Sequence, residues 1–213
     1  MSVVVIVDYG MGNIKSVQRG VERTGATAVL SFDPDEIINA DRVILPGVGA
    51  FEDGMKGLKQ SGLDDAIYQF CNKGNPLLGI CLGMQMLLQQ SEEFGIHRGL
   101  GLIDGTVNKI PQTEDGSFKR KIPHIGWGAL KRPQQQLCNG SCLKDIEEGE
   151  FFYFVHSFMA VPTNPENRLA HCIYEGLSVT AAIQIENITG VQFHPEKSGE
   201  AGLKILKQFV MMQ

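Results

Sequence analysis

No stretch of the 213 residues approaches the ~18 consecutive apolar positions of a membrane-spanning helix. A basic surface is also missing. The 19 Lys and Arg are outnumbered by 24 Asp and Glu, the net charge is −5, and neither sign clusters. Nothing in that distribution favours nucleic acid. The opening MSVVVIVDYG has neither the basic flank nor the small-residue cleavage site of a signal peptide, which makes the cytoplasm the expected location. Cysteine is sparse and odd in number, at Cys71, Cys81, Cys138, Cys142 and Cys172, a pattern of reduced thiols rather than a disulfide framework. Cys138 and Cys142 are the only close pair. They lack C-x-x-C spacing and a nearby histidine, so they read as structural or incidental and no metal site is expected. Internal repeats, low-complexity tracts and an interdomain linker are likewise lacking, and residues 1–213 are expected to form one domain.

What is present centres on Asn75 to Gln90, NPLLGICLGMQMLLQQ. Pro76 to Ile80 has the length and composition of a buried strand, and Met84, Met86, Leu87 and Leu88 lie in a helix-compatible stretch. Between them stands Gly79-Ile80-Cys81-Leu82-Gly83, the thiol counterpart of the G-x-S-x-G nucleophile elbow. A sharp strand-to-helix turn there lifts the central side chain outward. The flanking glycines avoid collisions that a Cβ would make with the neighbouring strand and helix. Cys81 then sits at a helix N-terminus, which favours a thiolate, with the Leu82 N–H aimed at any oxyanion formed on attack. The alternative is a small buried core cysteine.

Strands alternating with helices through the first ninety or so residues predict an α/β fold, a doubly wound, mostly parallel central sheet flanked by helices. Val3 to Val7 is a β-branched strand, followed by Asp8-Tyr9-Gly10-Met11-Gly12-Asn13 and a helix from Ile14 to about Thr24. The third glycine of G-x-G-x-x-G is missing, so a tight loop is favoured over a nucleotide site. Ala26 to Ser31 is the second strand, and Asp33-Pro34-Asp35 starts a helix by N-capping. Arg42 to Leu45 is the third strand, running into Pro46-Gly47-Val48-Gly49, which is either an ordinary turn or a loop exposing an N–H as a second oxyanion donor. Helices follow around Asp53 to Gln60 and Leu63 to Asn72. After Glu93 the chain reads as an added antiparallel strand region: Leu100 to Ile110, Gly126 to Leu130, Glu150 to Val161, Arg168 to Tyr174 and Ser178 to Ile185. Gln112 to Arg120 and Arg132 to Glu148 are polar loops, and a helix from Gly199 to Met212 closes the chain.

A nucleophilic thiol needs a base and a group to orient it. In Gly190-Val191-Gln192-Phe193-His194-Pro195-Glu196 an apolar strand ends at a histidine, on the sheet edge expected to carry Cys81. Pro195 forces His194 into extended backbone, and residues two apart then face the same way, which sets Glu196 beside the imidazole. A strand-end histidine with a solvated glutamate is the plainer alternative. His156 is the second candidate base, without a neighbouring carboxylate, or else a hydrogen-bonded structural histidine.

These segments resemble the class I triad glutamine amidotransferases. Asp8-Tyr9-Gly10-Met11-Gly12-Asn13, Leu45-Pro46-Gly47-Val48-Gly49, Ser91-Glu92-Glu93, Pro123-His124-Ile125-Gly126-Trp127, Tyr153-Phe154-Val155-His156-Ser157 and His194-Pro195-Glu196-Lys197-Ser198 narrow the likeness to the family of glutaminase subunits of imidazole glycerol phosphate synthase. The resemblance spans nearly the whole chain. It implies Cys81 as nucleophile, His194 as general base and acid, Glu196 as its orienter, and an oxyanion hole at Val48 and Leu82. It implies that Gly49, Gln85, Glu93, Ser157 and Phe158 hold glutamine, and that Asn13, Trp127 and Lys197 face a (β/α)8-barrel cyclase subunit in a heterodimer. Ammonia would pass to that partner, with no cofactor, to form imidazole glycerol phosphate and an aminoimidazole carboxamide ribotide in histidine biosynthesis. Gly128 stands where this family usually has asparagine, and Phe158 where tyrosine is common. Three other readings are a paralogous subunit feeding another acceptor such as a surface-polysaccharide sugar, a cysteine hydrolase of the same fold acting on other amides or peptides, and a non-enzymatic interaction module.

Overall fold

The computed structural model describes residues 2–112, 119–132 and 140–212. In chain order the first half comprises β1 (Val3–Val7), α1 (Ile14–Glu22), β2 (Thr27–Ser31), α2 (Pro34–Ile38), β3 (Val43–Leu45), α3 (Phe51–Gln60), α4 (Leu63–Asn72), β4 (Leu77–Ile80) and α5 (Leu82–Met86). There follow β5 (Leu88–Ser91), β6 (His97–Arg98), β7 (Ile103–Lys109), β8 (His124–Ala129), β9 (Phe151–His156), β10 (Phe158–Pro162), β11 (Arg168–Tyr174), β12 (Leu177–Ile185), β13 (Ile188–Val191) and α6 (Gly199–Met211).

Among the described residues the main sheet has seven strands in the order β11-β12-β13-β4-β3-β1-β2. From β2 to β13 every neighbour is parallel, and β12 and β11 extend the sheet antiparallel. The two faces follow from the pleat of β1. Val4 and Ile6 join a core with Val17 and Val21 of α1 and Ile205, Leu206 and Phe209 of α6. Val5 and Val7 join a second core with Ile37 of α2, Leu58 of α3 and Phe70 of α4. A β-branched run with no polar face is therefore buried on both sides, as a strand inside a parallel sheet must be. α2 begins as expected, with the Asp33 carboxylate accepting the Asp35 N–H at 2.9 Å and Pro34 in the first turn.

Two smaller sheets sit beside this frame, one of four strands in the order β10-β7-β5-β6 and one an antiparallel β8-β9 ribbon. Two expectations need correcting here. The helix after Cys81 ends at Met86, and Leu88–Ser91 is a strand. The Leu88 carbonyl accepts the Gly101 N–H and Leu88 pairs with Ile103, so tertiary pairing takes residues whose composition is helix-compatible. Glu150 to Val161 is not one strand either. It breaks at Ser157, where the chain leaves the β8 partner and joins β7. The two expected polar loops lie in part outside the described residues, as does Cys138.

The β8-β9 ribbon carries its own buried pair. His124 and His156 are register partners with His124 Nδ1 3.1 Å from His156 Nε2, and His156 Nδ1 lies 2.7 Å from the Phe158 carbonyl. A carbonyl only accepts, so His156 donates from Nδ1, its Nε2 is the acceptor, and His124 supplies the proton between the rings. Phe154 and Tyr174 stack on His124. Burial lowers His156 to about 3 and His124 to about 4 from an ordinary 6.5. Both rings are thus neutral in the fold but take up protons in the unfolded chain below pH 6.5, so stability falls as pH drops from there toward 4. Between pH 7 and 5 the two rings remove about 4 kcal/mol of stability, and His194, which the fold raises to about 9, returns about 1. The melting temperature is expected to fall by roughly 8 °C over that interval. A His124→Gln variant should lose less over the same interval in a thermal melt, and an equal loss would contradict this account.

Candidate active site

The parallel strands β3, β4 and β13 end level with one another, and each delivers a functional segment at its carboxyl end. The Cys81 N–H bonds to the Val191 carbonyl at 2.8 Å, which locks the start of the turn to β13. Cys81 itself has φ 55° and ψ −110°, a left-handed conformation for a residue with a Cβ. Such backbone costs about 1–3 kcal/mol and persists only where surrounding structure imposes it. The surroundings do so here by close approach. A Cβ on Gly83 would stand 1.8 Å from the Leu45 carbonyl oxygen, and one on Gly79 would stand 2.8 Å from the Met84 nitrogen. The glycines flanking the cysteine therefore allow the tight strand-to-helix turn that their spacing predicts.

His194 is held from both sides. Its N–H bonds to the Tyr153 carbonyl of β9 at 2.9 Å. The Ser198 hydroxyl donates to the His194 carbonyl at 2.6 Å and accepts the Tyr153 N–H at 3.0 Å. The imidazole Nδ1 meets the Glu196 carboxylate at 2.8 Å, with both side chains almost wholly buried, at 2% and 1% exposure. Burial pulls the His194 pKa down, but hydrogen bonding and charge from Cys81 and Glu196 outweigh it and raise the ring to about 9. His194 Nε2 has no oxygen or nitrogen partner among the described residues. His156, the other candidate base, has both ring nitrogens committed and burial keeps it neutral, so its role is structural.

A cavity of about 410 Å³ opens where these segments meet. Its walls include Cys81, Leu82, Gln85, Val48, Gly49, Glu93, Ser157, Phe158 and His194 from the sequence reading, together with Pro123, Val155 and His156. Glu196 lies behind His194 rather than on the wall. Glu93 reaches across, one carboxylate oxygen accepting the Phe51 N–H at 2.7 Å at the start of α3. Asn13, Trp127 and Lys197 do not line the cavity. Trp127, Ile125 and Phe151 are exposed on the outer face of the β8-β9 ribbon, and the Lys197 ammonium stands 6.0 Å above the Tyr153 ring on the same ribbon. Asn13 precedes α1 without capping it through its side chain.

Two residues escaped the sequence reading. The Tyr9 hydroxyl donates to the Pro46 carbonyl at 2.8 Å, tying the end of β1 to the Pro46–Gly49 loop. Gln192 is fully buried, with its Nε2 3.7 Å from the Cys81 sulfur. Its position two residues before His194, on the same side of an extended segment, was the available signal. Burial pushes the Cys71 and Cys172 thiols up to about 12 and keeps them protonated.

The family model for class-I glutamine amidotransferases matches residues 5–213. The chain belongs to that family. It is 51% identical over 214 residues to the imidazole glycerol phosphate synthase subunit HisH 1 of Legionella pneumophila (strain Lens), covering all of both chains. It is 48% identical over 214 residues, again covering both completely, to the HisH subunit of Methanosarcina acetivorans. Within the family it is thus a HisH-type glutamine amidotransferase subunit. Two solved structures share the fold at low identity. PurLQS from Thermotoga maritima superposes with TM-score 0.72 at 20% identity, covering 99% of this chain and 98% of that one. A glutamine amidotransferase superposes with TM-score 0.73 at 14% identity, covering 98% and 99%.

Proposed function

We propose that Cys81, His194 and Glu196 form a catalytic triad that hydrolyses glutamine to glutamate and ammonia. The observation that carries this reading is the strained thiol at position 81 opening on the same cavity as an imidazole whose far nitrogen is held by a buried carboxylate. With His194 raised to about 9, the imidazole holds a proton at neutral pH, and the reaction uses Cys81 as its thiolate. The thiolate adds to the side-chain carbonyl of glutamine. The oxyanion is taken by the N–H groups of Leu82 and Val48, His194 protonates the departing ammonia, and the same imidazole then takes a proton from the water that cleaves the glutamyl thioester. Gly49, Gln85, Glu93, Ser157 and Phe158 hold the substrate, with the Glu93 carboxylate suited to its α-ammonium. No metal or organic cofactor enters these steps.

The whole chain acts as one amidotransferase domain in the cytoplasm. The released ammonia passes to a (β/α)8-barrel cyclase subunit, which forms imidazole glycerol phosphate and aminoimidazole carboxamide ribotide. The names of the full-length relatives support a synthase partner, and the exposed Trp127, Ile125 and Phe151 face supports where it docks, together with Asn13 and Lys197. This face is the outer side of Tyr153, whose backbone holds His194, so docking bears directly on the triad. An oxyanion donor is worth about 100- to 1000-fold in turnover, and the Pro46–Gly49 loop is the element that partner binding sets. Glutamate release should therefore rise by about 100-fold or more when the cyclase and its nucleotide ligand are added. Equal rates with and without them would remove the partner-dependent part of this reading.

A further inference from the structure

The Phe158 carbonyl and the side-chain amides of Gln85 and Gln192 form a hydrogen-bonded chain running from the cavity wall to Cys81, and its direction is dictated from one end. The Phe158 backbone carbonyl, which only accepts, takes one hydrogen bond from His156 Nδ1 at 2.7 Å and another from Gln85 Nε2 at 3.1 Å. That forces the nitrogen of the Gln85 amide toward β10. The second hydrogen of the same nitrogen goes to Gln192 Oε1 at 2.9 Å. Gln192 is then also fixed in orientation, with its oxygen toward Gln85 and its nitrogen toward Cys81 Sγ at 3.7 Å. Either amide, flipped alone, would set like against like. Gln192 is fully buried, away from bulk solvent.

We propose that Gln192 is a further residue of the catalytic machinery. It donates an N–H to the Cys81 sulfur and, through its carbonyl, holds Gln85 with Oε1 as the only polar atom left to face the cavity. The inference rests on the reading of Cys81 as nucleophile. Its two effects are separable. At the sulfur, a fixed N–H favours the thiolate left when the proton moves to His194 Nε2, and it keeps the sulfur in one rotamer for attack. At Gln85, both donor hydrogens are used internally, so that point of the wall accepts hydrogen bonds and does not donate them. It therefore favours a ligand presenting an N–H, such as a primary carboxamide or an ammonium, over a carboxylate placed there. The chain also couples the substrate-binding strand to the nucleophile. A shift of the Phe158 carbonyl would loosen Gln85, then Gln192, then the sulfur.

The test uses the full chain with its synthase partner and compares wild type with Gln192→Met, which keeps the volume and removes both hydrogen-bonding functions. Three readouts are taken: melting temperature, the pH profile of Cys81 alkylation by iodoacetamide with the site verified by peptide mass, and kcat and KM for glutamine. Alkylation at pH 7 is expected to slow by about tenfold, with its profile moved to higher pH. The kcat/KM should fall by about tenfold or more through both a lower kcat and a higher KM. Gln85→Met breaks the chain from its other end, and a double variant should lose less than the product of the two single losses because both remove one shared bond. If Gln192→Met does not fold, Gln85→Met alone still decides the matter, since it frees Gln192 and should slow alkylation of Cys81. An alkylation profile and kcat/KM within about twofold of wild type in the folded variants would overturn the role of Gln192 and leave the glutaminase reading standing. A wild-type complex that neither hydrolyses glutamine nor is alkylated at Cys81 would take down both.

Discussion

Cys81→Ala should abolish glutamine hydrolysis, with a loss on the order of 10,000-fold or more, because residues of a triad act as a unit and little remains once the nucleophile goes. The substitution removes only the sulfur. Alanine suffers the same left-handed backbone as cysteine at φ 55°, and the Val191 carbonyl still accepts the amide of residue 81. The melting temperature should therefore stay close to that of wild type. Cys81→Ser keeps the elbow but replaces the thiol by an alcohol, a far weaker acid and a shorter reach in a site set for sulfur, so it too should lose most of its activity. The informative control replaces glutamine by an ammonium salt. If this subunit only generates ammonia, the synthase complex bearing Cys81→Ala should form product from added ammonium as wild type does. Glutamate release by the alanine variant at more than about one hundredth of the wild-type rate would place the nucleophile elsewhere.

Gly83→Ala should be among the most damaging single-methyl changes at the described residues for stability. The new Cβ would lie 1.8 Å from the Leu45 carbonyl oxygen and 2.8 Å from the Leu45 carbonyl carbon. Neither is a side-chain end that can rotate away. Both belong to the backbone of β3, which pairs with β1 and β4 in the middle of the sheet. The elbow and β3 must separate, opening the core at the point where the cavity forms. A cost above about 4 kcal/mol follows from forced displacement of packed backbone, equivalent to roughly 10 °C or more in melting temperature for a chain of this size. Gly74→Ala serves as control. Its φ is +81° with nothing within 4 Å, so only the strain of a left-handed alanine applies, about 1 kcal/mol. Equal melting of the two variants would show that the elbow tolerates a side chain.

Much of the site was legible because its chemistry is local. The Glu196 carboxylate beside His194 follows from Pro195 and the two-residue period of extended chain, and it is met at 2.8 Å. The glycines around Cys81 announce the elbow through a steric demand that no other residue meets. Where local cues conflict with pairing, the reading was less good. Leu87 and Leu88 suit a helix by composition, yet Leu88–Ser91 is a strand because β7 runs beside it. Nothing within Glu150 to Val161 marks a break, and the break at Ser157 arises because β8 and β7 claim the two halves. Nothing beside Glu93 in the sequence marks a partner within the chain, and only the approach of α3 gives it the Phe51 N–H.

The sequence by itself determined the alternation of strands and helices, the turn that exposes Cys81, the pairing of His194 with Glu196, and the family. The first three depend on residues within a few positions of one another, where sterics and period act without knowledge of the rest of the chain, and the family on short segments spread along nearly all of it. The tertiary structure decided that β13 lies against β4 though more than a hundred residues separate them, and so brought the imidazole to the sulfur. It also decided that Gln192 and Gln85 point at each other and that the backbone of Tyr153 holds the turn carrying His194. Those relations come from which strands pair and in what register, and pairing depends on burial summed over both faces of a sheet rather than on any one segment.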